Sequence, residues 1–389
     1  MSNAPKIKEI DSAMLTGPVR KALDSRTAEL LHWECHPVSY INTEVSNLGL
    51  YRFKGTAQDG SQDHPWSIIL KAVDAPVNDT DPTYWNYHRR EILAYEEGLL
   101  TALPGGIAAP RCLGISQYSN GVCWLWLEDI PSTASVSWSL TEYAQVARHL
   151  GQFNGAYLSD HPLPDFPWLS QHWIRGWLTH YEASGREVLE LLQNKHFWEY
   201  PVLRYAFSDS ITGDVLRLWK RHDRLLTTLN RLPRTFCHLD AYRPNLFLRQ
   251  DSHGSTHSVA VDWAFTGIAA VGEEIANLFA ASLIWLECDA AEVKSLDEAV
   301  FSGYLDGLRE AGWQGDPRLA RLGYTAACAL RWGVVGLWWI KSLGDAGREA
   351  ELETQWNHPL PELALQWGKT ITYILGLTEE ADQLQHDLF

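Results

Sequence analysis

Three polar residues between Cys237 and Trp263 have the types and the spacing to meet at one point. Asp240 lies in the loop Cys237-His238-Leu239-Asp240-Ala241-Tyr242-Arg243-Pro244-Asn245. Asn245 opens a short apolar run, Asn245 to Arg249, and Asp262 stands at the end of a second, Ser258 to Trp263. If the two runs pair as a hairpin, the Asp before the first strand, the Asn at its start and the Asp closing the second converge on one pocket. Mg²⁺ takes a near-octahedral oxygen shell from one or two side chains, completed by phosphate and water. Asn245 and Asp262 can supply that pair beside a bound nucleotide, which leaves Asp240 to face a hydroxyl that receives a phosphoryl group. An alternative is a loop in which Asp and Asn only cap turns.

Upstream, Trp66-Ser67-Ile68-Ile69-Leu70-Lys71-Ala72-Val73 reads as a buried strand interrupted by one lysine. An ammonium there is costly unless it snorkels to the rim or meets a carboxylate or a phosphate. Three glutamates in the next helical segment compete to be its partner. At about 100° per residue, Glu91 lies at the edge of the apolar arc, Glu96 within it and Glu97 outside it.

The pattern His-x-Asp-x-x-x-x-Asn followed by an apolar residue, Asp262 and Trp263 resembles the aminoglycoside phosphotransferase and choline kinase family, over roughly residues 38 to 280. The resemblance implies an α+β, bilobal protein-kinase-like fold, with a small antiparallel-sheet N-lobe, a large mainly helical C-lobe, and ATP with Mg²⁺ in the cleft. It makes Asp240 the catalytic base, Asn245 and Asp262 the metal ligands, and His238 the residue that orders the loop. Lys71 would contact the α- and β-phosphates and pair with Glu91, with Glu96 in reserve. Ser46, Asn47 and Gly49, in the turn segment Val45 to Arg52, would cover the nucleotide. The main chain of Glu128 and Ile130 would read the adenine edge. Leu239 stands where the family usually has Gly, and Glu274-Ile275-Ala276 where it often has Asp-Leu-Ala, which leaves the role of that acid open.

The elements around these residues follow from periodicity. Strands are expected at Val38 to Val45, Leu50 to Ala57, Trp66 to Val73 and Val122 to Leu127, with a turn at Asp59-Gly60 and a helix from Tyr84 to Leu103. Residues 1 to 35 read as a leading helical segment. Helices are expected at Thr141 to Leu158, Gln171 to Leu192, Thr212 to Leu232, Glu273 to Leu286, Leu296 to Ala311, Pro317 to Leu343 and Pro361 to Leu375. The lobe boundary falls near Glu128 to Ser132, so that residues 1–128 bind nucleotide and residues 129–389 carry catalysis and substrate binding.

Composition excludes other classes. The 48 acidic residues outnumber 32 basic ones, and the resulting charge of −16 repels nucleic acid and anionic membranes. The six cysteines include no CxxC pair and no signal-like segment opens the chain, so reduced thiols and a cytoplasmic protein are expected. Leu322 to Ile340 approaches the length of a membrane span, but the central Arg331 makes it a core helix. His32, Cys35 and His36 have zinc-like spacing without a fourth ligand, and His149 reads as a partly buried hydrogen-bonding residue.

The acceptor is expected to be a small-molecule alcohol, a cation or a sugar, given the net charge and the aromatic residues Trp168, Trp173, Trp177, Tyr181, Trp338 and Trp339. Core filling is the plainer account of those rings. A nucleotide-binding pseudokinase is the alternative function. A kinase acting on protein is disfavoured because Trp263-Ala264 replaces the Phe-Gly that opens an activation segment.

Overall fold

The computed structural model describes residue 4 and residues 6–38, 47–74, 81–131, 137–250 and 254–389. Helix α1 (Ser12–Ala22), N-capped by the Asp11 carboxylate, precedes three antiparallel strands, β1 (Glu29–Pro37), β2 (Asn47–Asp59) and β3 (Gln62–Val73). Gly60, at φ +63°, forms the tight β2–β3 turn expected at Asp59-Gly60. After α2 (Arg90–Glu96) and the short β4 (Ile107–Ala108), strands β5 (Cys112–Gln117) and β6 (Cys123–Glu128) complete a five-stranded sheet of order β1-β2-β3-β6-β5. Pleating sorts its side chains. Trp66, Ile68, Leu70 and Ala72 of β3 point into a core shared with Phe53, Ala57 and α1, while Ile69 and Lys71 alternate onto the opposite face and line a cavity.

The rest is mainly helical: α3 (Leu140–Ser159), α4 (Trp173–Leu192), α5 (Pro201–Ala206) and α6 (Ile211–Arg231) come first. β7 (Arg234–Cys237) then pairs with β10 (Gly267–Ala270), and between them lies the hairpin of β8 (Leu246–Gln250) and β9 (Thr256–Ala260). β4 adds to β9 in parallel and ties the two halves of the chain together. Helices α7 (Ile275–Ile284), α8 (Val293–Glu310), α9 (Pro317–Ala327), α10 (Val334–Leu343), α11 (Glu349–Trp356) and α12 (Leu360–Leu388) complete the chain. All of α7 is buried, including Asn277 and Ser282, and the rest of its sequence is apolar. Among the described residues no helix is long and apolar enough to cross a membrane.

Several expectations are corrected. The leading helical segment stops at Ala22, and Glu29–Pro37 is a strand. Its Leu, Glu and His residues do not favour β structure. The ladder with β2, from Glu29 opposite Gln58 to Pro37 opposite Tyr51, overrides them. The strand expected at Val38 to Val45 is not found at Val38, and residues 39–45 lie outside the described residues. On β1, His32, Cys35 and His36 are part of an extended ladder and not of a helical face. The helix expected from Tyr84 to Leu103 shrinks to α2. Arg90, fully buried, donates to the carbonyls of Trp85 (2.9 Å), Tyr84 (2.6 Å), Trp168 (3.0 Å) and Ala264 (3.0 Å), so the Trp85 carbonyl before α2 is satisfied by a side chain and not by a helical N–H group. The helix expected from Pro317 to Leu343 is interrupted by a π-helical turn, Cys328–Gly333. α12 runs beyond Leu375, with Leu377 and Ala381 buried on the same core and Glu380 paired with Arg321 (2.6 Å) and Asp382 with Arg221 (2.5 Å).

Replacing Arg90 by Met would take the Arg90 donors from the Trp85, Trp168 and Ala264 carbonyls, each costing about 1–3 kcal/mol when buried without a partner. Urea denaturation should show a loss of about 3 kcal/mol or more. The surface change Arg186→Met should stay within about 0.5 kcal/mol. Equal effects would refute the role given to Arg90.

Candidate active site

β7 ends at Cys237, and the next three residues are held from four sides. The Glu274 carboxylate accepts from the N–H of His238 (2.7 Å) and of Leu239 (3.0 Å). His238 Nδ1 accepts from Asp240 N–H (3.1 Å), so the ring proton lies on Nε2, which donates to Val261 O (2.9 Å). Arg331 donates to Leu239 O (2.9 Å) and to Asp240 Oδ1 (3.0 Å). This network keeps Leu239 at φ +65°, a left-handed conformation that costs a branched residue about 1–3 kcal/mol. Glycine would adopt it freely, which is the physical content of the family's preference at this position.

Asp240 is a largely buried carboxylate with three donors: Arg331 and Asn277 (3.2 Å) on Oδ1, and Asn245 Nδ2 (3.0 Å) on Oδ2. Burial pushes its pKa above the ordinary aspartate value, against the pull of Arg331. Burial likewise lowers His238 to about 4, so its imidazole is neutral at physiological pH.

Lys71 meets two carboxylates. Its Nζ donates to Glu91 Oε2 at 2.6 Å and to Asp262 Oδ1 at 2.7 Å, and Trp263 N–H donates to the other oxygen of Glu91 at 3.2 Å. Burial opposes the charge on Lys71, but Asp262 and Glu91 together hold its pKa above the lysine range. Burial raises Glu91. Burial also pushes Asp262 up, but Lys71 more than offsets that and holds it low. Asp262 itself is at φ +63°, and its side chain is 42% exposed toward the cavity.

These groups face one cavity of about 1020 Å³. Lys71, Glu91, Glu128, Ile130, Asp240, Asn245 and Asp262 line it, and His238 stands behind it. Of the covering segment, Ser46 lies outside the described residues, and Asn47 and Gly49 belong to β2 and not to a turn. Gly49 takes φ +142° with the Tyr51 ring where a Cβ would be, so this position admits only glycine comfortably. The Glu128 N–H already donates to Arg111 O (3.0 Å), and its carboxylate pairs with Arg249 (2.9 Å). Of the aromatic residues expected at the cleft, Trp173, Trp177, Tyr181, Trp338 and Trp339 line the cavity, whereas Trp168 is stacked on Phe166 instead.

Three further residues touch the loop. Glu274 was left open by its departure from the family pattern, Asn277 gave no sequence signal, and Arg331 was read only as an obstacle to membrane insertion. A cation amid an apolar helix does announce a buried partner, but nothing in the sequence names Asp240. His149, on α3, is buried and bonds Ser258 Oγ (2.9 Å), away from the loop.

The sheet, the helical half and the cavity between them are those of a kinase-like fold. The model of the phosphotransferase enzyme family matches residues 86–315, more than half of the 389 residues, and the chain belongs to that family. It is thus an enzyme of the small-molecule kinase class. Its structure is similar to that of a choline kinase from Cryptosporidium parvum (14% identity, TM-score 0.50, covering 99% of this chain and 95% of that one). An aminoglycoside phosphotransferase from Alicyclobacillus acidocaldarius (15%, TM-score 0.49, 98% of each chain) is also similar. So is an amicoumacin kinase in complex with AMP-PNP and Ca²⁺ (15%, TM-score 0.49, 92% of this chain and 96% of that one). No curated protein sequence matches the chain.

Glu274 gives this site a pH signature. Burial pushes its pKa up to about 7 from 4.5. Between those values the folded protein holds a proton that the unfolded chain has released, so this contribution to stability is complete below pH 4.5 and is lost as pH rises through about 7. Urea midpoints of the wild type and Glu274→Gln, taken at both ends of that range, should show the wild type losing ground to the variant as pH rises. A constant difference would refute the buried titration.

Proposed function

We propose that this enzyme transfers the γ-phosphoryl group of ATP to a hydroxyl of a small molecule, with Asp240 as the catalytic base. The observation that supports it best is the convergence of Lys71–Glu91–Asp262 and of Asp240–Asn245 on one cavity. Lys71, held by Glu91, would contact the α- and β-phosphates. The Glu128 N–H is spent on Arg111, so the adenine edge falls to the Glu128 carbonyl and the Ile130 main chain. Asn47 and Gly49, with Ser46 before them, would cover the phosphates.

The donor set fits a hard divalent cation such as Mg²⁺. Two carboxylates share the single Lys71 ammonium, and Asp262 is open to the cavity. Asn245 has spent its amide nitrogen on Asp240, which leaves its oxygen as a ligand. Among the described residues no cluster of three His, Cys, Asp or Glu side chains can hold a metal, so the remaining ligands would come from the nucleotide and water. When bound, the ion neutralises the charge of the transferring phosphoryl group.

Asp240 orients the acceptor hydroxyl and takes its proton. Oδ1 already has two donors and Oδ2 one, so Oδ2 has the lone pair to receive it. Burial makes this carboxylate more basic than usual, against the pull of Arg331.

Base and metal ligand should fail differently. Asp240→Asn should lower turnover by about 10²- to 10⁴-fold with near-normal affinity for Mg·ATP, whereas Asp262→Asn should impair turnover and Mg²⁺-dependent nucleotide binding together. Lys71→Ala should weaken ATP binding. Full activity in all three would refute the mechanism, and interchanged phenotypes of the two aspartates would reverse their roles.

Arg331→Met should move the acidic limb of the kcat/KM profile to higher pH, because removing the guanidinium lets the Asp240 pKa rise further. An unmoved limb would mean that Arg331 does not act on Asp240.

A further inference from the structure

We infer that the acceptor is an uncharged alcohol with a flat apolar body, and not an ammonium or amino-sugar compound. This rests on the kinase reading above and concerns the half of the cavity beyond Asp240. Its walls are rings held edge to face. Trp177 and Tyr181 of α4 meet Trp338 of α10 at 6.3 and 5.3 Å between centroids, and Trp285 meets Trp339, the next residue of α10, at 6.0 Å and 90°. Val335, about one turn before Trp338 and Trp339 on α10, also lines the cavity. Such a slot accepts a planar or aliphatic body by burying its surface.

Charge decides between apolar and cationic occupants. Two carboxylates face this half of the cavity, and each already has a guanidinium: Asp240 has Arg331 at 3.0 Å and Glu287 has Arg243 at 3.1 Å. Arg348 adds a further cation to the wall, bonded to Glu351 at 2.8 Å. The aromatic faces nearest the loop are also engaged, since the Arg331 guanidinium lies 4.6 Å from the Trp173 ring centroid and 5.4 Å from that of Trp332. Each guanidinium here is matched by one carboxylate, so an ammonium ligand entering this half would find no carboxylate without a cation already beside it. The net charge of −16 that favoured a cation is therefore a property of the whole chain and not of this wall.

The test measures binding of phenethyl alcohol, choline and kanamycin to the protein with Mg·AMP-PNP, and turnover of each with Mg·ATP. Phenethyl alcohol should bind at least about tenfold more tightly than either cation and have the highest kcat/KM. Equal or tighter binding of a cation, or binding of none of the three, overturns the inference. Val335→Glu places a carboxylate without a guanidinium partner in the wall and should improve choline binding relative to phenethyl alcohol by about tenfold; an unchanged ratio counts against the inference. A fluorescent ATP analogue, titrated into both proteins, reports folding and the nucleotide site. Loss of that binding in the wild type would refute the kinase reading itself, whereas nucleotide binding with the wrong acceptor order refutes only the acceptor class.

Discussion

A single ammonium joins the parts of this structure that the chemistry needs together. Lys71 comes from the middle strands of the sheet, Glu91 from a helix of seven residues, and Asp262 from the end of a hairpin in the helical half. Removing Lys71 would leave the buried Glu91 carboxylate without its cation, a cost that typically exceeds what the intact ion pair contributes to stability. The energy of these contacts thus serves geometry. It holds a carboxylate of the helical half against a strand of the sheet, beside the cavity that both line.

Backbone strain is placed beside this contact and held there. Leu239 and Asp262 both adopt left-handed conformations, and neither is glycine. Strain of this kind persists only where the surroundings over-determine it. Glu274, His238 and Arg331 do so at Leu239, through hydrogen bonds to three consecutive residues. At Asp262 the pinning comes from Lys71 and from Glu91 holding the next N–H. Arg90, adjacent to Glu91, extends the same logic by collecting carbonyls from three separate segments.

The π-helical turn at Cys328–Gly333 is the least expected element and bears directly on the site. Such a turn carries one residue more than an α-helical turn and marks functional positions more often than chance. Arg331 lies inside it, where the guanidinium reaches both Leu239 and Asp240. The aromatic wall of the cavity includes Trp332 of the same turn and continues along α10. One irregular turn thereby tunes the carboxylate and forms part of the wall beside it.

The sequence by itself determined what is local or periodic. Asp240, Asn245 and Asp262 were legible because a loop and a hairpin fix their relation within about two dozen residues. Lys71 was legible as a cation in an apolar strand, and Glu91 was favoured by its position on a helical arc and by the family pattern. Most helices showed in their apolar stripes, and one hairpin turn in Asp59-Gly60. Only the tertiary structure decided the rest. β1 exists because β2 is there to pair with it, and α2 is short where Arg90 replaces a helical N–H group at the Trp85 carbonyl. Arg331, Asn277 and Glu274 act across separations of 91, 37 and 36 residues, where no periodicity in the chain records which groups will meet. Charge behaved in the same way: its sum is a property of the sequence, whereas its balance at the cavity wall depends on which guanidinium lies beside which carboxylate.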